Sequence, residues 1–234
     1  MKKYAAQSRI LVAIDCIIFG FDGAELKLLL IQRGLEPEKG KWSLMGGFVE
    51  QEEGLENAAA RILRQLTGLE NVYMEQLQAF GDPNRDPVER TLSIAWFALV
   101  DIHKYEKQLS DDHHPEWVPV KKLPPLIFDH RHMVDIAKKR LQYKAALHPL
   151  LFELLPDSFT IPQLFNLYQA VYDKKLDKRN FNRKLLSAKL LIKQKHKEKA
   201  NSRRGAFYYK LDKRKYYKHR DAFMSFLPTR NIFS

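Results

Sequence analysis

The sequence predicts an α/β sandwich followed by a small helix-turn-helix unit that ends in a basic hairpin. Three observations carry that prediction. Apolar, β-branched or Leu-rich runs alternate with a segment of helical spacing over the first part of the chain. A Pro-flanked break near residues 145–157 starts a different pattern. The positive charge lies almost wholly beyond that break. The chain has 234 residues, comfortable for two domains, and 45% hydrophobic content supplies a buried core.

The elements follow in order. Ile10–Phe21 and Leu26–Gln32 read as strands joined by a turn at "FDGAE". The segments "NVYMEQLQAFG", "RTLSIAWFALV" and the short "EWVPV" read as further strands. In 54–66, Ala58, Ile62 and Leu66 recur every fourth residue, which predicts a helix. "HMVDIAKKRLQYKAAL" predicts a second, with Met133, Ile136, Ala137 and Leu141 on one face. Packing helices on a sheet in layers gives the sandwich. A domain boundary is placed at 147/148, giving domains 1–147 and 148–234.

Past the boundary, Thr160 is an N-cap and Gln163 completes a capping box. Ile161, Leu164, Phe165 and Tyr168 follow at helical spacing. After the polar turn "DKKLDK", Asp177 caps a second helix, "KRNFNRKLLSAK", whose Phe181, Leu185 and Ala188 are expected to face inward. An alternating "FYYKL" after a basic stretch completes a hairpin.

Charge and cysteine content narrow the function. The net charge is +12, but residues 146–234 alone hold 20 Lys+Arg against 7 Asp+Glu, leaving 20 basic and 21 acidic residues before them. Such asymmetry implies a polyanionic partner for the C-terminal part. Cys16 is the single cysteine, so no internal disulfide forms. Arg9 and Asp15 interrupt the first apolar stretch, and no apolar run reaches membrane-spanning length. A cytoplasmic protein without membrane contact is expected.

The basic unit carries one chemistry. Arg179, Asn182 and Arg183 share a face of the second helix, with Lys178 at its start. Such a helix fits a major groove, where Arg pairs with guanine and Asn with adenine. Arg203 and Arg204, in "NSRRG" at the hairpin tip, are placed to reach phosphates or a minor groove. Together these form a winged helix-turn-helix for double-stranded DNA. Tyr208, Tyr209, Tyr216 and Tyr217 keep single-stranded RNA open as another reading.

The segment "GGFVEQEEGLENAAARILRQLTGL" carries the other. It resembles the Nudix box, G-x5-E-x7-R-E-U-x-E-E-x-G-U, where U is aliphatic. Gly47, Glu53, Arg61, Leu63, Gly68 and Leu69 match it without a gap. Three box positions that carry Glu in the family are Ile62, Gln65 and Leu66 here, and the last two of those Glu bind Mg²⁺ or Mn²⁺ in active members. An amide and a hydrocarbon do not supply the hard anionic oxygens such an ion requires. No catalytic residue, metal or cofactor is therefore expected, and Glu53 with Arg61 is read as a structural pair.

"GDPNRDPVERTLSIAWFAL" is similar to a segment of ADP-ribose-type Nudix domains, and "FDHRHMVDIAKKRLQYK" before a winged helix resembles the Nudix-related transcriptional regulators. The resemblance spans essentially the whole chain. It implies a Nudix-like α/β/α sandwich that senses a small molecule and a C-terminal winged helix on operator DNA; a homodimer is expected because two winged helices would read a two-fold symmetric operator. Members of that family respond to L-arabinose or to ADP-ribose. "DCIIFGF", "KWSLMGGFVE" and "LIFDH" look closest to the arabinose branch, with ADP-ribose second. An active Nudix hydrolase with an accessory nucleic-acid-binding domain is the alternative.

Asp15, Arg33, Trp42, Gly46, Gly47, Arg85 and Asp86 fall where this fold places effector contacts. Asp15 reads equally as a strand-edge or cap residue. Arg85 and Asp86 pair across a turn in another reading, Trp42 belongs to the core in another, and His130 is read as a satisfied loop histidine.

Overall fold

Apolar residues at period two along the first strand serve both faces of the central sheet. The computed structural model describes residues 7–105, 114–148, 150–198 and 205–216. In it β1 (Leu11–Phe21) runs parallel to β6 (Thr91–Asp101) along its full length. The other edge of β1 is shared by β4 (Met45–Phe48), which pairs with residues 13–16, and β2 (Leu26–Gln32), which pairs with 18–21. Both are antiparallel to β1. Beyond β2 lie β3 (Trp42–Ser43) and β7 (Glu116–Pro119), and beyond β6 lies β5 (Tyr73–Phe80).

Alternation along β1 builds two cores. Ile17, Phe19 and Phe21 pack with Met133, Ala137 and Leu141 of α3 (His130–Leu147). Ile14, Cys16 and Ile18 pack with Ala58, Ile62 and Leu63 of α1 (Leu55–Thr67). Each Ile, Leu, Phe or Met side chain among these contributes about 1.5–3 kcal/mol when fully buried. The result is the expected α/β/α sandwich. The glycine that closes the box, Gly68, ends α1: at φ 76° it donates its N–H to the Arg64 carbonyl at 2.8 Å. Only glycine enters that left-handed cap without steric cost. A short helical turn, α2 (Ile102–Tyr105), follows β6.

The C-terminal unit is a winged helix. It comprises β8 (Phe159–Thr160), α4 (Ile161–Tyr172), α5 (Lys178–Ser187), β9 (Leu191–Glu198) and β10 (Ala206–Leu211), with the strands ordered β8-β10-β9. The capping box forms as predicted: Gln163 N–H donates to Thr160 Oγ1 at 3.3 Å, and Thr160 N–H donates to Gln163 Oε1 at 2.7 Å. Asp177 accepts from Asn180 N–H at 2.5 Å and starts α5. Phe181 and Leu185 pack on the core, but Ala188 is exposed, because α5 ends at Ser187 and Ala188 is its C-cap.

One core joins the two units. Leu151, Leu154, Leu164, Leu167 and Val171 belong to the same cluster as the α3 side chains and β1. Gln142 Nε2 donates to the Val171 carbonyl at 2.8 Å, and the Tyr172 hydroxyl donates back to the Gln142 carbonyl at 2.9 Å. Lys121 pairs with Asp173 at 2.6 Å.

Candidate functional site

The sheet opens a cleft of about 700 Å³ at its β3–β4 end. Its floor is a buried polar network that ties three distant segments together. Asp15, 5% exposed on β1, accepts from the Ser93 hydroxyl at 2.6 Å on the adjacent β6. Arg85 brings a cation from the 81–90 loop, its Nη2 3.4 Å from Asp15 and 2.8 Å from Asp129, with Nε donating to Asp129 at 3.0 Å. Burial works against the Arg85 charge, but Asp129 and Asp15 outweigh it and hold its pKa above the ordinary value. Arg85 does not pair with Asp86. The Asp86 carboxylate instead accepts from Val88 N–H at 2.9 Å and turns the loop.

His130 opens α3 and is only 3% exposed. Its Nδ1 accepts from Leu44 N–H at 3.2 Å, so the proton of the neutral ring sits on Nε2, 3.5 Å from Asp15. Burial pushes its pKa below 6.5, against the pull of Asp15 and Asp129. It is a satisfied histidine, but on a helix and in the cleft wall rather than in a free loop.

Two glycines make room for these groups. Gly46 lies opposite Asp15 in the β1–β4 ladder, and a Cβ there would sit 2.5 Å from Asp15 Oδ1. At Gly47 a Cβ would meet the Ile62 side chain at 3.1 Å. The first box glycine thus packs on the isoleucine that replaces a box glutamate.

Six of the seven residues singled out from sequence line this cleft: Asp15, Arg33, Gly46, Gly47, Arg85 and Asp86. Trp42 does not. On its two-residue strand Ser43 faces the cleft, while Trp42 packs on the opposite, apolar side against the core. Sequence reasoning passed over Ser93, Asp129 and Phe128. Phe128 is held at φ 48° with its ring 5.3 Å beneath the Arg33 guanidinium. A non-glycine residue in that region is a local cost that persists only when its surroundings impose it.

The box helix shows what became of the carboxylate positions. Ile62 is buried in the core beneath α1. Leu66 lines the cleft. Gln65 accepts from Arg61 Nη1 at 3.1 Å. Arg61 also clamps Glu53, with Nε and Nη2 at 2.9 and 2.5 Å, and donates to the Phe48 carbonyl at 2.9 Å. That clamp and the Glu50 N–H hold the Glu53 carboxyl down at about 2. The pair fastens the glycine loop to α1. No cluster of three or more His, Cys, Asp or Glu side chains able to hold a metal ion occurs among the described residues. At the three box positions, the hydrocarbons of Ile62 and Leu66 and the amide of Gln65 do not offer the hard anionic oxygens that the family's divalent ion requires.

On α5, Lys178, Arg179 and Arg183 are exposed, and Arg183 Nη2 donates to Asn180 Oδ1 at 2.9 Å. Asn182 departs from its expected place on that face. It is half-buried, and its Oδ1 is shielded without a hydrogen-bond partner among the described residues. Arg203 and Arg204 lie outside the described residues. On the wing strands, Lys193 and Lys197 place their ammonium groups 3.6 and 4.5 Å from the Phe207 ring centre, cations that sequence reasoning did not single out.

The sandwich and the winged helix have separate counterparts among known families. The Nudix domain model matches residues 9–136, and the model of the NrtR DNA-binding winged helix domain matches residues 151–211. The chain belongs to the NrtR-type Nudix transcriptional regulators. Among curated NrtR-type proteins, it is 35% identical over 182 residues to the ADPR responsive transcriptional repressor NtrR of Acinetobacter baylyi, covering 76% of this chain and 73% of that one. Shewanella oneidensis NrtR in complex with a 27mer DNA superposes with a TM-score of 0.77 at 29% identity, over 88% of this chain and 95% of that one. The NUDIX domain of the same Shewanella protein, complexed with ADP ribose, matches 59% of this chain and 93% of its own at 30% identity, TM-score 0.52. ADP-ribose appears in the names of two of these three relatives and arabinose in none, so the arabinose branch placed first from sequence has no support from them. No helix among the described residues is long and apolar enough to cross a membrane.

Proposed function

We propose that this chain is an ADP-ribose-responsive repressor whose Nudix cleft binds its effector without hydrolysing it. The observation that carries the reading is the state of α1. Arg61, Glu53, Gly47 and Gly68 keep the frame of the box, while Ile62, Gln65 and Leu66 remove its carboxylates. A cleft in that state retains a binding shape and lacks the charge that activates water through a metal. The relatives named above support ADP-ribose as the effector. Asp15, Arg33, Gly46, Gly47, Arg85 and Asp86 are the proposed effector contacts, and Lys178, Arg179, Arg183, Arg203 and Arg204 the proposed DNA contacts.

An effector alters DNA affinity only through its different affinity for two conformations. The polar floor of the cleft reaches α3 through Asp129, and α3 shares its core with α4, so the two sites have a continuous physical route. A homodimer in the cytoplasm, reading a two-fold symmetric operator, fits the winged helix. The division at 147/148 is retained because α3 ends at Leu147.

The test combines two measurements. In gel-shift titrations, fragments upstream of neighbouring genes should outcompete bulk DNA, and ADP-ribose should change that affinity while L-arabinose does not. In parallel, ADP-ribose incubated with Mg²⁺ or Mn²⁺ and then phosphatase should release no phosphate. Turnover that vanishes in Glu53→Gln would establish the hydrolase instead.

A further inference from the structure

The cleft that lost its metal-binding carboxylates is lined by cationic side chains. Arg33 at the end of β2 uses only its Nε internally, donating to the carbonyls of Leu35 at 3.0 Å and Pro37 at 2.7 Å. Its two terminal nitrogens have no partner among the described residues, and its plane is set by the Phe128 ring beneath it. Lys39, exposed on the same loop, has neither a hydrogen bond nor an ion pair among the described residues. Arg85 is already matched by Asp129 and Asp15, so among the described residues lining the cleft Arg33 and Lys39 stand against the one remaining carboxylate, Asp86. In the same lining, Leu66 offers hydrocarbon where the family places a metal-binding glutamate.

We infer that the cleft holds its nucleoside-diphosphate effector without any divalent cation, the diphosphate charge being met directly by Arg33 and, at longer range, by Lys39. This rests on the reading of ADP-ribose as effector. A divalent ion bridges a diphosphate to protein carboxylates. Once the carboxylates are gone, an ion carried in with the ligand gains nothing from the protein and competes with the guanidinium for the same oxygens. A guanidinium has the fork geometry that matches phosphate oxygens and needs no ion between. Here its stem is fixed by two carbonyls, so little ordering is left to pay for on binding.

Calorimetry on the full chain tests this with ADP-ribose in EDTA and then in excess Mg²⁺. The affinity in excess Mg²⁺ is expected to be no higher than in EDTA, since the ion adds no protein contact and competes with the guanidinium for the diphosphate oxygens. Arg33→Gln should weaken ADP-ribose by about ten- to a hundredfold, as loss of charge-assisted hydrogen bonds implies, and should leave adenosine binding unchanged. Lys39→Ala should weaken ADP-ribose by about two- to fivefold, in a manner that disappears at high salt. Unchanged adenosine affinity in the Arg33 variant shows that the loop is intact. Binding that requires Mg²⁺, or an Arg33 variant that weakens adenosine as much as ADP-ribose, overturns the inference while leaving ADP-ribose as effector. Absence of ADP-ribose binding in both buffers overturns the effector assignment and the inference with it.

Discussion

Replacing Arg85 with Met tests whether the polar floor of the cleft holds the fold together. The substitution keeps most of the side-chain length and removes a cation that meets Asp129 at 2.8 and 3.0 Å and Asp15 at 3.4 Å. Removing one partner of a buried ion pair costs about 3–5 kcal/mol, because the remaining charge stays out of water. The Asp15 side chain is 8% exposed and takes that penalty nearly in full, whereas Asp129 keeps 23% and regains water. Ser93 still donates to Asp15, which further limits the loss. The lower end, about 3 kcal/mol, is therefore expected, or about 6–12 °C in melting temperature for a chain of this size. Urea denaturation followed by circular dichroism measures it. Adding Asp15→Asn removes the stranded charge, so the double variant should be more stable than the sum of the single losses by at least about 1 kcal/mol. A single-variant loss under about 1 kcal/mol, or strict additivity, would refute the view that Arg85 is there to neutralise buried carboxylates.

Further outcomes follow from the same geometry. Gly46→Ala should cost about 1–3 kcal/mol, since its Cβ falls 2.5 Å from Asp15 Oδ1, and Gly47→Ala less, since the Ile62 side chain can shift; equal melting temperatures for the two would contradict this. His130 has a folded pKa below 6.5, so below that pH the unfolded chain binds the proton first and stability falls as the solution is acidified. The slope reaches at most about 1.4 kcal/mol per pH unit for one proton, and His130→Asn, which keeps an acceptor for Leu44 N–H, should flatten it in urea melts from pH 7 to 5. Arg183→Ala should cost about 1–3 kcal/mol on the cognate operator and relax its sequence preference, while equal weakening on every sequence would exclude a base contact. Arg203→Ala and Arg204→Ala should each lower the slope of log affinity against log salt by about 1 in titrations of the full chain.

Much of this was legible in the residues because it is local. The strand runs, the Thr160 capping box, the Asp177 cap and the spacing from Gly47 to Gly68 involve neighbours in sequence, and each appears where expected. The failures come from contacts that spacing does not encode. Arg85 finds Asp129, 44 positions away, rather than adjacent Asp86. Trp42 and Ser43 form a two-residue strand, too short for an alternation to show which side chain faces the cleft. Asn182 shares helical spacing with Arg179 and Arg183 but sits at the edge of the packed face, and the difference is decided by what lies beneath α5. Ala188 fell outside because the helix stops one residue earlier.

The apolar cluster that runs unbroken from β1 through α3 into α4 also bears on how such a chain can evolve. A gene fusion cut between Leu147 and Ile161 would strip Leu151, Leu154, Leu164 and Leu167 of their neighbours and leave both fragments with sticky, aggregation-prone faces. New ligand or operator preferences are thus expected to arise by point substitution at the cleft and on α5, with the seam inherited whole.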